Sequence, residues 1–467
     1  MTMTLTPPAP ETTPAYEPSS LDVASLLGVN LTTELSPFEA CLDPMLQAIV
    51  ANKNADFSAL SLLKSHSAER FMALGLPNRK HQEAWKFIDL KPLVSKPLPA
   101  VQSKLEPCRL PYRLEKALKL PVTLTVCNGA FPKDASPKAA APWVLFSQLE
   151  ASVQTAFQQL LTEKTTQESD PFCVLGQALA EDIWTLDLPA NTTLEKPLVA
   201  YVNQSQTSMA FPQWAVRLAE NASATVVVSC SSDAQLQAYI QACATVELAK
   251  GATLNWVYLV NHTSENIVQL LNTRATVHEK AYFNLFAVNA SNGALLRHSM
   301  EVRLVGQEAN ATLNGITLAT GKTSVHNHVR LTHDAENCQS SQIFKAVVGD
   351  EAKSEFDGSI FVTTNGQQTD AKQLSKNMLL SNKAKAFARP WLNIDADDVK
   401  CSHGTTVGQL DEQQLFYLVS RGISPDEARD VLTLAFVVDL LSQLENVAGV
   451  EALKAECLAL FQEKLAR

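Results

Sequence analysis

The sequence of 467 residues predicts a mainly β protein whose strand-rich core lies between two helical regions. From about residue 120, short runs rich in Val, Thr and aromatic residues recur, as in PVTLTVCNGAF, ATVVVSCSS and YFNLFAV. Such runs are typical of β-strands. Polar, turn-like clusters that contain Ala recur between them, and helical periodicity dominates the two ends of the chain.

The turn-like clusters repeat through the strand region. They are AENASAT, LAKGAT, VHEKAY, GQEANAT, HDAENCQ, GDEAKSE and SNKAKAF, from about residue 220 to about residue 384. The early spacings are close to thirty residues, and one later interval is near half of that. Turn-and-strand units without helices between them indicate a β-solenoid. A large antiparallel sandwich also shows strands and turns at intervals, so the pattern alone leaves both architectures open.

The chain divides into four regions. Residues 1–20 are rich in Thr and Pro with few large apolar residues, which predicts a disordered tail. Residues 21–115 form an N-terminal helical region. Residues 120–404 form the β core, interrupted by a helical insertion near 145–185. Residues 405–467 form a C-terminal helical domain.

The C-terminal domain carries clear helix signals. Gly422 fits the position just after a helix over about 411–421. Ser424, Pro425 and Glu427 form a capping box with proline at the first helical position. The helix that follows has an apolar surface wider than one stripe, so either the domain itself or a partner protein buries its second face. A last helix is predicted over about 449–466.

Composition excludes several classes of protein. The chain has 38 Lys and Arg against 48 Asp and Glu, a net charge of −10, and no basic cluster, which argues against nucleic-acid and membrane partners. The first basic residue is Lys53, so no secretory or organellar leader is expected. The nine cysteines are scattered, with no CxxC pair, which indicates free thiols in a reducing compartment, the cytoplasm.

Cys401 and His403 are the most suggestive pair of side chains. Two positions apart, they share a face if the segment is a strand, and Gly404 and Gly408 are expected to mark the strand's exit. They could be two of the ligands of a metal site, a nucleophile with its base, or packing residues of the core. Two donors are too few for a metal, so further ligands would have to come from elsewhere.

Other candidate groups are weaker. His326 and His328 share a strand face, His333 does not continue the alternation, and the three are expected to be solvated or core histidines. Asp397 and Asp398 are expected on opposite faces of a strand, a poor acid–base pair. The sequence contains no P-loop, no dinucleotide-binding fingerprint and no nucleophile elbow, and so predicts no self-sufficient active site.

Two stretches carry a family resemblance. TDAKQLSKNMLLS at Thr369–Ser381 and DVKCSHG at Asp398–Gly404 resemble the SufB/SufD family of iron–sulfur cluster assembly proteins, and its SufD members most closely. GLPNRKHQEAWKFIDL at Gly75–Leu90 is similar to the family's N-terminal element, except that Phe87 and Ile88 stand where Tyr-Thr is usual. The resemblance covers about residues 70–445.

The resemblance implies a right-handed parallel β-helix between helical regions. It also implies a scaffold subunit of the SUF assembly complex that pairs with SufB through the β-helix and binds the ABC-type ATPase SufC through its C-terminal helices. The chain is then expected to be a non-catalytic subunit, with the ATPase activity in SufC. It would contribute to nascent cluster assembly at the SufB–SufD interface and to iron acquisition.

The resemblance also assigns residues. His403 and Cys401 are expected to bind iron or a transient iron–sulfur cluster together with ligands of SufB, after SufC dimerisation strains the interface and exposes them. The residues expected to contact SufC are Leu415, Phe416, Tyr417, Arg421, Glu427, Arg429 and Phe436. Flavin binding is compatible with the family but has no signal in the sequence. A polysaccharide-active β-helix enzyme and a purely structural scaffold remain as alternatives.

Overall fold

The computed structural model describes residues 36–52, 58–77, 83–95, 122–128, 142–233, 235–447 and 449–465, so the tail predicted at 1–20 lies outside the described residues. The helices are α1 (Pro37–Asn52), α2 (Ala59–Leu74), α3 (Lys91–Val94), α4 (Ala151–Gln167), α5 (Pro171–Leu179), α6 (Glu412–Ser420), α7 (Pro425–Leu441) and α8 (Leu453–Leu465). Short 3-10 turns occupy Glu83–Trp85, Phe146–Gln148 and Ser442–Asn446.

The strands fill the middle of the chain. They are β1 (Leu124–Cys127), β2 (Trp143–Leu145), β3 (Trp184–Leu188), β4 (Leu198–Gln204), β5 (Ser208–Ala210), β6 (Gln213–Leu218), β7 (Ser223–Ser232), β8 (Gln237–Leu248), β9 (Thr253–His262), β10 (Asn266–Val277), β11 (Tyr282–Asn289), β12 (Leu295–Leu304), β13 (Asn310–Ala319), β14 (Ser324–His333), β15 (Gln339–Val348), β16 (Lys353–Val362), β17 (Thr369–Leu379), β18 (Lys385–Ile394) and β19 (Val399–Gln409).

Two facing sheets form a β-solenoid of about eight turns. One has nine strands in the order β1-β4-β7-β9-β11-β13-β15-β17-β19, and the other has ten, with β18-β16-β14-β12-β10-β8-β6-β3-β2 as its main path. Neighbouring strands are parallel, except that β2 and β3 are antiparallel among the described strands. The predicted solenoid is therefore confirmed, and the antiparallel sandwich is wrong.

The turn-like clusters of the sequence are the corners of the solenoid. At one corner each turn has a residue with positive φ: Asn191, Asn221, Gly251, Lys280, Glu308, Asn337 and Gln368. The backbone N–H of each such residue donates to a carbonyl of the next turn, as from Asn221 to Lys250 at 2.9 Å and from Gly251 to Glu279 at 2.8 Å. A small buried residue follows, such as Ala222 or Ala252, because the backbone turns tightly into the lumen there.

A second corner explains the interval that is half as long. Asp350 has a φ of 50° and lies at the opposite side of the solenoid, between β15 and β16. Buried Ala352 follows it, as the alanines do at the first corner. The clusters GDEAKSE and SNKAKAF both belong to this second corner, whereas HDAENCQ belongs to the first, so the short interval is the step from one corner to the other.

The N-terminal helices cover the outer face of the ten-stranded sheet. Phe38 of α1, Trp85 and Phe172 of α5 are buried in one apolar cluster with Tyr239 of β8 and Leu270 of β10. Asp170 caps α5 by accepting a hydrogen bond from the Phe172 backbone N–H at 3.0 Å. The helical insertion predicted near 145–185 is therefore present as α4 and α5, and it belongs to this layer.

The C-terminal helices cover part of the outer face of the nine-stranded sheet. Val437 and Leu440 of α7 and Phe461 of α8 are buried against outward-facing strand residues such as Ile316 and Val347. The Ser424 and Glu427 capping box is formed as predicted, and Gly422 has a φ of 91° after α6. Nothing among the described helices is both long and apolar enough to cross a membrane.

Among the residues that the structure describes, the cysteines depart from expectation at Cys127. Cys41, Cys173, Cys230, Cys243, Cys338, Cys401 and Cys457 are free thiols. Cys127 is disulfide-bonded, so the expectation of free thiols throughout the chain is wrong there.

Candidate functional site

Cys401 and His403 lie on β19, the edge strand of the nine-stranded sheet. Cys401 pairs in register with Ala371 of β17, and His403 pairs with Gln373. Both partners are buried and face the lumen, so Cys401 and His403 face it too, at the end where the solenoid stops. The prediction that the pair shares a strand face is confirmed.

The two side chains differ in exposure. The Cys401 thiol is half-buried beside Ile360, Val362 and Ala371, whereas His403 is exposed at the rim. Burial raises the pKa of Cys401, the charge of Asp370 adds to this, and the Ala371 backbone N–H opposes it. In the isolated chain Cys401 is therefore a protonated thiol near neutral pH.

Two predictions about the neighbourhood are wrong. Gly404 does not mark the exit of the strand, because β19 continues to Gln409, one residue beyond Gly408. Asp397 and Asp398 lie in the bend that precedes β19 rather than on opposite faces of a strand. The Asp398 backbone N–H donates to the Gln367 side chain at 3.1 Å, which fixes the corner before the strand begins.

Large apolar side chains are exposed on both edge strands, where Trp391 faces outward from β18 and Ile394 and Val407 lie on the lumen faces of β18 and β19. Trp391 of β18 is 56% exposed and Val407 of β19 is 50% exposed, and Ile394 of β18 is also exposed. Sequence reasoning missed these residues because alternation along a strand shows which residues share a face, but not that no further turn covers them. A Trp within a strand next to the Asp-rich bend was the one available signal.

His326, His328 and His333 play no part in this site. His326 and His328 face outward on β14, where they bond Glu355 at 2.6 Å and Asp357 at 3.2 Å. His333 faces the lumen and bonds Ser340 at 2.9 Å. The three are satisfied histidines of the solenoid wall, as expected.

The carboxylates beside these histidines are also occupied. The Arg389 guanidinium donates to Asp357 at 2.8 Å and approaches Glu355 at 3.3 Å, and both carboxylates are buried. A polysaccharide-active enzyme would present its catalytic carboxylates in an open outer groove. This pair is neutralised and enclosed instead, so nothing here favours that alternative.

The N-terminal family element has a packing role. Trp85 is buried, with the Arg297 guanidinium 4.0 Å from its ring centroid. Phe87, one of the two departures from the family pattern, stacks on Phe387 of β18 at 5.3 Å, and Arg389 lies 4.9 Å from its ring. The element therefore braces β18, the edge strand of the ten-stranded sheet.

The residues expected to bind the ATPase fall into two groups. Phe416 is 74% exposed and Tyr417 is 56% exposed on α6, with Arg421 lying 5.3 Å from the Tyr417 ring. Leu415 is partly buried and Arg429 is exposed. These five residues of the predicted surface are open to a partner, and the assignment stays a prediction.

The remaining two residues have contacts within the chain. The Glu427 carboxylate accepts hydrogen bonds from the Ser424 backbone and hydroxyl at 3.2 and 2.8 Å, which lowers its pKa. Phe436 is turned toward the solenoid, with its ring 5.1 Å from the Lys345 ammonium. Both therefore stabilise α7, whatever else they contact.

The described residues contain no group of three or more His, Cys, Asp or Glu side chains that could hold a metal ion. Cys401 and His403 supply a thiol and an imidazole, two donors that suit zinc or iron, on a rim that a second chain can reach. The open end of the solenoid, formed by the edge strands β18 and β19, can pair with a strand of a second chain. It can also contribute Cys401 and His403 as two ligands of a metal centre shared with that chain.

Comparison with known proteins agrees with this geometry. Residues 201–436 match the family described as SUF system FeS cluster assembly, SufBD core domain. The chain is 27% identical to the iron–sulfur cluster assembly protein SufD of Escherichia coli over 408 residues, 85% of this chain and 91% of that protein. It is 26% identical to a SufBD family protein of Synechocystis over 457 residues, 93% of this chain and 99% of that protein. SufD of Bacillus subtilis is 24% identical over 60% of this chain and 63% of its own.

Proposed function

The chain belongs to the SUF system SufB/SufD family, and from this premise we propose that it is a scaffold subunit on which nascent iron–sulfur clusters are assembled. The single observation that supports the proposal most is the position of Cys401 and His403 in the lumen at the open end of the solenoid. The chain itself would be non-catalytic, and the ATPase activity would reside in a SufC-type partner in the cytoplasm.

The open end supports pairing with a second solenoid. Both sheets end on long strands, β18 with ten residues and β19 with eleven. A long edge strand exposes unpaired backbone N–H and C=O groups and attracts another strand unless something covers it. Exposed Trp391 and Val407 add apolar surface of the kind found at the centre of protein interfaces. A SufB-type partner would cover this end by strand addition.

Pairing would complete the ligand set. Soft or borderline metals take about four donors in a compact site, and this end of the chain offers Cys401 and His403. The partner would supply the rest, so that iron and sulfide are held only in the assembled pair. Assembly would thereby gate cluster formation and iron acquisition.

The protonated state of the Cys401 thiol suits a site that binds an iron–sulfur cluster only transiently. Its raised pKa keeps it protonated while the site is empty, so it is a poor ligand and a poor nucleophile. An arriving iron cation favours the thiolate and displaces the proton. The cluster is the cargo of this site, and the thiol returns to its protonated form when the cargo leaves.

The C-terminal helices give a route for coupling to ATP. Phe416 and Tyr417 leave α6 with an exposed aromatic surface, the residue class that dominates binding hot spots. The following helix α7 packs on β13 and β15, and Lys345 of β15 bonds the Phe436 carbonyl at 2.7 Å. A movement of α6 and α7 driven by SufC would reach β15, which lies two strands from β19 in the same sheet.

Co-expression with SufB-type and SufC-type chains tests the proposal. A tag on this chain should recover all three in a fixed ratio by native mass determination, and the complex should carry iron and sulfide after reconstitution. Recovery of this chain alone, under conditions where the two other chains associate with each other, would contradict it. A three-chain complex that assembles no cluster would leave only a structural scaffold.

A further inference from the structure

Inward-facing histidines of this solenoid are held by neutral polar side chains. The pairs are His262 with Gln269 at 2.5 Å, His298 with Thr273 at 3.0 Å, and His333 with Ser340 at 2.9 Å. Burial lowers the pKa of these three histidines to about 4, about 3 and about 4. Each ring is therefore neutral at physiological pH and has one N–H and one nitrogen lone pair. A carbonyl oxygen such as Gln269 Oε1 can only accept, so it places the proton of His262 on the bonded nitrogen, whereas the hydroxyls of Thr273 and Ser340 can take either role.

Gln373, which pairs in register with His403, offers a carbonyl oxygen like that of Gln269 as a hydrogen-bond acceptor. Its side chain faces the lumen and is 3% exposed. The Nε2 group donates to Gln342 Oε1 at 3.0 Å, which orients the amide. The Oε1 atom is buried and accepts no hydrogen bond from any described residue. A buried acceptor without a donor is costly, so a donor that can reach this oxygen is favoured.

The lumen is shaped around this amide. Gly358 of β16 faces Gln373, and a Cβ atom at Gly358 would lie 2.3 Å from the Gln373 Nε2 atom. Any larger residue there would displace the amide. The glycine thus leaves space for Gln373 to turn its oxygen toward the next turn of the solenoid.

On that next turn, His403 is the residue beside Gln373. It pairs in register with Gln373 on the adjacent strand, where Cα atoms are about 4.8 Å apart and side chains on one face stack. We propose that Gln373 is a positioning residue that accepts the N–H of the His403 imidazole through Oε1. A rotation of the exposed His403 side chain about its own bonds toward the Gln373 amide closes this bond. The other ring nitrogen then keeps its lone pair, as a metal ligand must.

The inference rests on the proposed function for its consequence, but its geometry can be tested on the chain alone. Long-range 1H–15N spectra of the protein labelled on histidine nitrogens report the tautomer of each ring, and the signal lost in His403→Ala identifies His403. We expect one dominant tautomer in the wild-type chain. In Gln373→Leu we expect a mixture of both tautomers, and Gln373→Glu, which keeps an acceptor oxygen, should restore a single one. Gln269→Leu is the matched control, which should change the His262 signal and leave His403 unchanged.

The three-chain complex gives the second readout. Gln373→Leu should raise the iron concentration needed for half-maximal cluster formation by about tenfold to a hundredfold, the usual effect of losing a group that orients a metal ligand. A wild-type His403 with the mixed tautomers of a free imidazole overturns the inference without any variant. If Gln373→Leu shifts the tautomer but His403→Ala leaves cluster yield intact, the positioning role stands and the proposed function fails.

Discussion

Cys401 and His403 face the lumen from one edge strand, but only Cys401 is packed against apolar neighbours, whereas His403 is exposed at the rim. The pair therefore combines a half-buried thiol with an imidazole that a second chain can reach. Neither outward-facing neighbour, Lys400 or Ser402, shares this position. Because Lys400 and Ser402 lie on the opposite face of the same strand, their substitution is a matched control for substitution of Cys401 and His403.

We predict that pairing at the open end depends on exposed apolar side chains of the lumen face of β19, of which Val407 is one. Val407→Asp places a carboxylate on the lumen face of β19, where a covering strand would have to desolvate it. We expect loss of the complex with the SufB-type chain in size-exclusion chromatography, with unchanged folding by circular dichroism. Thr406→Asp, on the outward face of the same strand, is the control and should leave pairing intact. Equal loss in both variants would contradict a pairing that uses the lumen face.

The attachment of α7 to the nine-stranded sheet depends on Lys345. This residue is buried and its ammonium bonds both the Phe436 carbonyl and the Asp439 carboxylate. Lys345→Met should lower the free energy of unfolding by about 1–3 kcal/mol, because hydrogen bonds to a charged group are lost. Lys372→Met, whose ammonium is exposed beside Asp370, should cost no more than about 0.5 kcal/mol. Urea denaturation measures both, and equal effects would refute the assigned role.

The ion pair between Lys345 and Asp439 predicts that the free energy of unfolding depends on pH. Burial disfavours the charged form of Asp439, but the hydrogen bond and charge of Lys345 outweigh it, so the pKa of Asp439 is lowered. A lowered carboxyl pKa stabilises the fold above the unfolded-state pKa, and this contribution is lost as the pH falls through the folded-state value. Wild type should lose more stability than Asp439→Asn between about pH 5 and pH 2. Because the Asp439 side chain is 70% exposed, the difference should stay below about 1 kcal/mol. If the free energy of unfolding changed with pH in the same way in the wild type and in Asp439→Asn, the ion pair between Asp439 and Lys345 would be contradicted.

We predict that binding of the ATPase depends on the aromatic surface of α6, formed by Phe416 and Tyr417. Phe416→Ala combined with Tyr417→Ala should weaken binding of the SufC-type chain by about 2 kcal/mol or more, roughly thirtyfold, as at other aromatic hot spots. Both side chains are exposed in the chain alone, so the melting temperature should hardly change. Gln413→Ala, on the same helix, is the control. Calorimetric titration with unchanged affinity for the double variant would exclude this surface from the interface.

Local features of the fold could be predicted from the sequence because local physics sets them. The Ala-containing turn clusters mark corners where a residue with positive φ precedes a buried small side chain, as at Asn221 and Ala222. The Ser424–Glu427 capping box and the shared face of Cys401 and His403 follow from helical and strand geometry in the same way. Their spacing alone sufficed to predict them.

Features that depend on contacts across the fold could not be predicted. The Phe436 ring lies 5.1 Å from the Lys345 ammonium, a contact between α7 and β15 that helical periodicity does not reveal. The assignment of Phe436 and Glu427 to a partner surface stays a prediction. Asp397 and Asp398 continue the alternation of β19 in the sequence, but the corner starts the strand only at Val399. Gln373 carries no signal at all, since its role depends on which strand lies beside β17.

The yield of iron–sulfur cluster in the three-chain complex tests the central claim most directly. Iron and sulfide would be counted after reconstitution of the wild type, of the double variant Cys401→Ala with His403→Ala, and of the control Lys400→Ala with Ser402→Ala. The proposed site predicts at least about a tenfold lower yield for the lumen-facing pair, at unchanged complex assembly, and wild-type yield for the outward-facing pair. Wild-type yield in both double variants would contradict it and reduce the chain to a structural scaffold.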